Sequence, residues 1–271
     1  MTTAAAGDAM TTAAALAAPP ELLYGPNPAA VTNARVQGYL RWLAREKGLD
    51  LGGWAALQRW SVESLEDFWG SIWDYFEVIG HSPYTDVLAE RRMPGARWFP
   101  GATLSYAEHS LRPADATPDE VAVIAHSQTR DPSTLTFAEL ADEVRRVRAG
   151  LQRLGVRRGE RVVAYLPNIP ETLVAFLATA SLGAIWASCA PEFGARSVID
   201  RFAQVDPSVL LVVPGYTYGQ KPVDKRDDVA ELRAGLPSLR HVVEVPYGEY
   251  ARLDGPDTVA WADLTAPTDA R

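Results

Sequence analysis

From Asp119 onward, short apolar runs alternate with segments whose apolar residues recur every three or four positions. The runs are VAVIAH (Val121 to His126), RVVAYL (Arg161 to Leu166), AIWASCA (Ala184 to Ala190), VLLVV (Val209 to Val213) and HVVEV (His241 to Val245). Each is too short for a helix and is apolar on successive residues, the pattern of a strand buried on both faces. Between them the helical period predicts helices over Phe137 to Leu154, Glu171 to Leu182, Ala195 to Gln204 and Lys225 to Leu236. Strands alternating with crossover helices form a parallel sheet, and right-handed crossovers place helices on both of its faces. The expected fold class is therefore α/β: an open, doubly wound, mainly parallel sheet, preceded by a helical segment.

That preceding segment, Glu21 to Arg112, holds Trp42, Trp54, Trp60, Trp69, Trp73 and Trp98, six of the eight tryptophans. Leu65, Phe68, Trp69, Ile72, Trp73 and Phe76 fall at helical spacing on one face, which reads as packing rather than a ligand box. Ser61 and Ser64 are the candidate N-caps, Ser64 with Asp67 at capping-box spacing. Pro100 and Gly101 impose a turn before a short helix that ends near Leu111. Pro170 sits where a first helical turn should begin. Three divisions are expected: a disordered tail over 1–20, a helical segment over 21–113 and an α/β subdomain over 114–271.

Composition narrows the function classes. Hydrophobic residues make up 47% of the 271 and charged residues 22%, the balance of a packed domain. A formal charge of -8 supplies no basic face for a nucleic-acid backbone. Cys189 is the single cysteine, which excludes an internal disulfide and fits a reducing cytoplasm. The Ala/Thr-rich start lacks the basic residues of a secretory signal. Thr172 to Pro191 is uncharged over about the length of a bilayer span, but Gly183 divides it into a helix and a buried strand.

Recognisable catalytic motifs are missing. The sequence contains neither G-x-S-x-G nor H-E-x-x-H, and no G-x-G-x-x-G stands at a strand-to-helix junction. His81, His109, His126 and His241 are scattered. Carboxylate pairs such as Glu139 with Asp142, or Asp227 with Asp228, read as helix-surface or helix-start charges. The nearest approach to a phosphate loop is GYTYGQKP, Gly215 to Pro222, expected as a loop at the carboxyl end of VLLVV. Its glycines are too close for a P-loop, and Pro222 replaces the hydroxyl residue that would hold magnesium. Its position is nonetheless where open α/β sheets take ligands, and Lys221 could meet a phosphate as a point charge.

Several stretches together resemble the adenylate-forming acyl-CoA synthetases. FWGSIWDYFEVIGHSPY (Phe68 to Tyr84) and MPGARWFPGATLSYAEHSL (Met93 to Leu111) resemble their amino-terminal segment. TLTFAEL (Thr134 to Leu140) resembles the first core motif, and the block from Gly159 to Leu211 resembles the second and its surroundings. Within that block, CAPEFGARSVIDRF is similar to the acetoacetate-activating branch, whereas the acetate-activating branch typically carries a Gly-Gly-Phe-Ser run there. The resemblance implies a ligase that converts acetoacetate, ATP and CoA to acetoacetyl-CoA, AMP and diphosphate, with Mg²⁺. It implies small-molecule partners, with no nucleic acid and no membrane. It also implies a CoA-facing stretch, Tyr218, Gly219, Gln220 and Lys221, with one cation where the acetate branch tends to offer two arginines. The family's T-S-G-T-T-G-x-P-K phosphate loop, its later ribose-binding acidic motif and its catalytic lysine are not among these residues. The chain alone is accordingly expected to be inactive, with no catalytic residue assigned. A ligase for acetate or propionate, or a non-catalytic binding module, remains the alternative.

Overall fold

The computed structural model describes residues 25–112 and 116–267, so the tail expected over 1–20 lies outside the described residues. The chain divides into two compact units between Ser71 and Ile72. The first holds α1 (Pro28–Thr32), α2 (Arg35–Glu46), α3 (Trp54–Glu63) and the start of α4 (Leu65–Tyr75). Asn27 caps α1 by accepting from the Ala30 N–H at 2.8 Å, with Pro28 in the first turn. Leu43 and Leu57 are buried, and Tyr39 stacks on Trp42 and meets Phe68 edge-on.

Two expectations change here. Ser61 does not begin a helix; it lies within α3, and its hydroxyl donates to the Gln58 carbonyl at 2.7 Å. Trp69 on α4 and Phe76, just past its end, are exposed, and the buried residue of the helix is Ser71, 2.5 Å from the Tyr39 hydroxyl. The spacing located the helix, but a polar residue with a buried partner took the innermost position.

The second unit opens with two small antiparallel pairs. β1 (Gly80–Ser82) pairs with β4 (Thr103–Leu104), and β2 (Leu88–Glu90) pairs with β3 (Arg97–Trp98). Between them Trp73, Tyr84 and Phe99 pack with ring centroids 4.8 to 5.2 Å apart. The expected turn at Pro100–Gly101 is tied back by Thr85 N–H donating to the Pro100 carbonyl at 3.0 Å. The short helix α5 (Tyr106–Leu111) follows, with Ser105 as its N-cap.

VAVIAH does not join the parallel sheet. It forms β5 (Val121–Ala125), paired antiparallel with β6 (Ser133–Thr136) in a separate ribbon. The run is partly exposed, with Val121 and Ile124 open to solvent, so a two-sided burial pattern was a misleading guide to its place. Thr136 then closes a full capping box with Glu139 at the start of α6 (Phe137–Arg153).

The remaining elements build the sheet: β7 (Arg161–Tyr165), α7 (Pro170–Ser181), β8 (Ile185–Cys189), α8 (Ala195–Phe202) and β9 (Val209–Val212). After them come a hairpin of β10 (Gly215–Tyr218) and β11 (Lys221–Asp224), then α9 (Arg226–Gly235), β12 (His241–Glu244), β13 (Thr258–Ala260) and α10 (Trp261–Thr265). Five strands stand in the order β13-β12-β9-β7-β8, every neighbouring pair parallel. Side chains alternate across it. Val162, Ala164, Val209, Leu211 and Val243 pack with α6, α7 and α10, while Val163, Tyr165, Leu210, Val212 and Val242 pack with α8 and α9. This is the doubly wound α/β arrangement expected. Gly150 fixes how closely α6 meets α10, because a Cβ there would stand 2.1 Å from the Leu264 carbonyl oxygen. Among the described residues, no helix is long and apolar enough to cross a membrane.

Candidate functional site at the carboxyl ends of the strands

The connection after β7 runs to one face of the sheet, and those after β8 and β9 lead to helices on the other. Connections diverging from adjacent strands open a crevice at their carboxyl ends, where such sheets bind ligands. Tyr165 closes β7 at the floor of this region. It is fully buried, and its hydroxyl donates to the carbonyls of Pro191, at 3.0 Å, and Phe193. Burial, reinforced by the Asp228 carboxylate, pushes the Tyr165 phenol well above its ordinary value, so it serves as a neutral donor.

Lys225 lies over the Tyr165 ring, 5.1 Å from its centroid, and pairs with the Asp228 carboxylate. Its side chain is 8% exposed, so this cation is engaged by a ring and a carboxylate. Its backbone N–H donates to the Pro214 carbonyl at 2.9 Å and fastens the foot of the β10–β11 hairpin. Tyr250 fixes the other side through its hydroxyl, which donates to the Tyr216 carbonyl at 2.5 Å. Its ring also explains Gly215, where a Cβ would come within 2.5 Å of it.

On the β8 side, the Arg201 guanidinium lies 4.8 Å from the Phe193 ring centroid. Arg201 also contacts Cys189, whose thiol is nonetheless raised by burial. A second cluster joins the β5–β6 turn to the same end of the sheet. Arg130 donates to Glu171 at 2.7 Å and to the Pro246 carbonyl, and stands over the Tyr247 ring. Tyr247 in turn bonds Ser127 at 2.9 Å.

The four sequence-predicted residues sit together, in a different form from that expected. GYTYGQKP is a regular antiparallel hairpin rather than an open loop, with Tyr218 paired to Lys221 across a two-residue turn of Gly219 and Gln220. Gly219 has φ +60°, as a hairpin turn with glycine at its first central position requires. Tyr218 is 69% exposed, and Gln220 and Lys221 are exposed beside it. The tip presents a flat ring, an amide and a cation to solvent. A flat ring can stack on a base and a cation can meet a phosphate.

Sequence reading missed the contacts that hold the base of the hairpin, Lys225 with Pro214 and Tyr250 with Tyr216, and the Tyr165 ring beneath Lys225. One signal was present: the chain has three lysines against 23 arginines, and two of the three lie four residues apart on this hairpin and the residue after it. Among the described residues, no group of three or more His, Cys, Asp or Glu could hold a metal ion.

The comparisons with known proteins agree in direction. A family model described as AMP-binding enzyme matches residues 111–269, and one described as Acetyl-coenzyme A synthetase N-terminus matches residues 54–110. The chain is 37% identical over 234 residues to acetoacetyl-coenzyme A synthetase of Rhizobium meliloti, covering 85% of this chain and 35% of that one. It is 35% identical over 218 residues to acetoacetyl-CoA synthetase of Danio rerio, covering 79% of this chain and 32% of that one. A solved structure, acetoacetyl-CoA synthetase from Streptomyces lividans, superposes with a TM-score of 0.84 at 50% identity, over 92% of this chain and 38% of that chain. The chain thus spans about a third of the length of the curated relatives it matches. With a family model covering more than half of its residues, and a doubly wound sheet like that of a solved relative, the chain belongs to the AMP-binding, adenylate-forming enzyme family.

Proposed function

We propose that this chain supplies the amino-terminal part of an AMP-forming acetoacetate–CoA ligase. Its segments over 21–113 and 114–271 would serve as the helical preface and the first α/β subdomain. The observation that carries the reading is the 50% identity to acetoacetyl-CoA synthetase from Streptomyces lividans across nearly the whole chain. The reaction is acetoacetate + ATP + CoA giving acetoacetyl-CoA + AMP + diphosphate. Both half-reactions gather negative charge on phosphates, so they need fixed cations and backbone donors around them. Lys225 is already neutralised by Asp228, which leaves Lys221 as the available cation of the hairpin. Tyr218 and Lys221, spaced by Gly219 and Gln220, are proposed to meet the nucleotide end of CoA. No step is assigned to a metal held by these residues.

The chain alone is proposed to be inactive. The test is ATP–pyrophosphate exchange dependent on acetoacetate, and robust exchange by the isolated 271 residues would overturn that part. A polypeptide in which residues 25–267 replace the matching part of the Streptomyces lividans enzyme should exchange with acetoacetate in preference to acetate or propionate. Preference for either of the latter acids would move the reading to another branch. In that polypeptide Lys221→Ala should raise the KM for CoA several-fold with kcat nearly unchanged, since a phosphate contact made equally in ground and transition states contributes to binding alone. An unchanged KM removes the CoA assignment from the hairpin.

A further inference from the structure

The β10–β11 hairpin pairs with no further strand among the described residues. A two-stranded ribbon is barely stable by itself in water, so the direction of its tip depends on what holds its foot. The lever is long. Tyr218 and Lys221 stand about 10 Å beyond that foot, and a tilt of about 10° there carries them about 2 Å, enough to break a hydrogen bond. On one side the foot is held by the Lys225 N–H on the Pro214 carbonyl. On the other side it is held by Tyr250 alone.

Tyr250 lies in the connection from β12 to β13, residues 245–257, which is tied down on both sides of it. Before it, the Pro246 carbonyl accepts from Arg130, and Tyr247 lies beneath the same guanidinium with its hydroxyl on Ser127. After it, Leu253 N–H donates to Glu244 Oε2 at 2.5 Å. Glu244 ends β12 and is 6% exposed, so a buried carboxylate folds the connection back onto the strand it leaves.

The Tyr250 ring is also confined between two glycines. A Cβ at Gly248 would come within 2.8 Å of it, and the three atoms nearest a Cβ at Gly215 all belong to this ring, the first at 2.5 Å. Gly248 has φ +74°, whereas Gly215 has no left-handed backbone, so at Gly215 the ring alone excludes a side chain. Its hydroxyl then reaches the Tyr216 carbonyl, the next residue of β10. We propose that Tyr250 is a positioning residue for CoA: it sets the angle of the hairpin, and through it the place of Tyr218 and Lys221. The inference rests on the CoA reading of the hairpin tip.

Its test uses the polypeptide that carries residues 25–267 within the Streptomyces lividans enzyme. Tyr250→Ala should raise the KM for CoA about 5-fold, with kcat and the KM for ATP nearly unchanged, because the contacts it aims act on CoA binding alone. Tyr250→Phe keeps the ring between the glycines and should raise that KM about 2-fold. Added to Lys221→Ala, Tyr250→Ala should change little, since residues that act through one contact are not additive. Gly215→Ala should raise the KM for CoA, and combined with Tyr250→Ala it should be no worse than Tyr250→Ala alone, the obstructing ring being gone.

Amide exchange on the 271-residue chain reads the brace without turnover. Tyr250→Phe should speed exchange across the β10–β11 ladder about 5-fold and leave β9 unchanged. Faster hairpin exchange, together with a KM for CoA that Lys221→Ala does not move, would end the CoA reading and keep Tyr250 as the brace. Unchanged exchange in both Tyr250 variants overturns the proposal. So does a KM for CoA raised by Lys221→Ala but moved by neither Tyr250 variant, or a Tyr250→Ala effect fully additive with Lys221→Ala.

Discussion

β13 and β8 bound the same sheet, and they end it differently. β13 has three residues, each half-buried, and Thr258 turns its N–H back to the Gly255 carbonyl at 3.2 Å. Arg233 braces its start through Asp257 and through Thr258 Oγ1 at 2.6 Å. The chain then turns at once into α10, which packs on α6 and receives Arg153 at the Leu264 carbonyl, 2.8 Å away. β8 has five residues, a half-exposed isoleucine at its start and two outward amides. The difference teaches that an edge is closed by local means, a short strand, a returned hydrogen bond and a charged brace, and that β8 has none of them. Exposed edges normally carry such devices, and β8 stands without them.

The largest test strikes the closed side. Gly150→Val would drive a side chain into the Leu264 backbone, and should cost about 3 kcal/mol, read as a lower urea midpoint at unchanged slope. A loss under about 0.5 kcal/mol would show that α10 contributes little to that edge.

Next in size is the pH dependence set at the carboxyl ends, between the two edges. Burial raises the Tyr165 and Tyr216 phenols and the Cys189 thiol, so the folded state prefers their neutral forms. Their stabilisation is complete below the ordinary values, 9.0 for the thiol and 10.0 for the phenols, and declines as pH rises through the raised ones. Thermal melts should therefore fall steadily above about pH 9. Tyr165→Phe should flatten that fall while costing about 1 to 2 kcal/mol at neutral pH for the lost hydrogen bonding. An equal slope in the variant would assign the alkaline loss elsewhere.

Arg233→Ala is expected to cost about 1 kcal/mol, because its partners are mostly buried and it holds a strand end. Hydrogen exchange should then rise over β13 before it rises over β9. Uniform acceleration would mean that Arg233 supports α9 rather than the edge. The smallest effect belongs to the open edge. Ile185→Lys should change stability by no more than about 0.5 kcal/mol, since half of the side chain already meets water, yet delay aggregation on heating. A large loss of stability would show that the isoleucine is already supported by packing.

Much of the sheet was legible before any coordinates. VLLVV and RVVAY appear as strands within a residue of their expected ends because their side chains are buried on both faces, which demands unbroken apolar runs. Pro170 at the head of α7 was equally readable, since first turns are decided by neighbours in sequence, whereas the Thr136–Glu139 capping box of α6 went unread although its residues stand at the right spacing. VAVIAH shows the limit: periodicity identifies a strand but not its partner, and this one pairs with β6 alone. Ser61 shows another, because a hydroxyl that could cap a helix from outside can equally bond a carbonyl one turn back within one.

The candidate site divides along the same line. Sequence order alone placed Tyr218, Gly219, Gln220 and Lys221 after a central strand, and Gly219 alone nearly dictates the turn between β10 and β11. It could not show that Tyr165, 60 residues away from Lys225 along the chain, lies beneath that lysine and gathers the Pro191 and Phe193 carbonyls. Local chemistry, meaning hydrophobic period, caps and turn residues, is written at short range and fixed the elements. Which strands became neighbours, which lysine was neutralised and which edge stayed open depended on contacts between distant residues, and only the folded chain decided those.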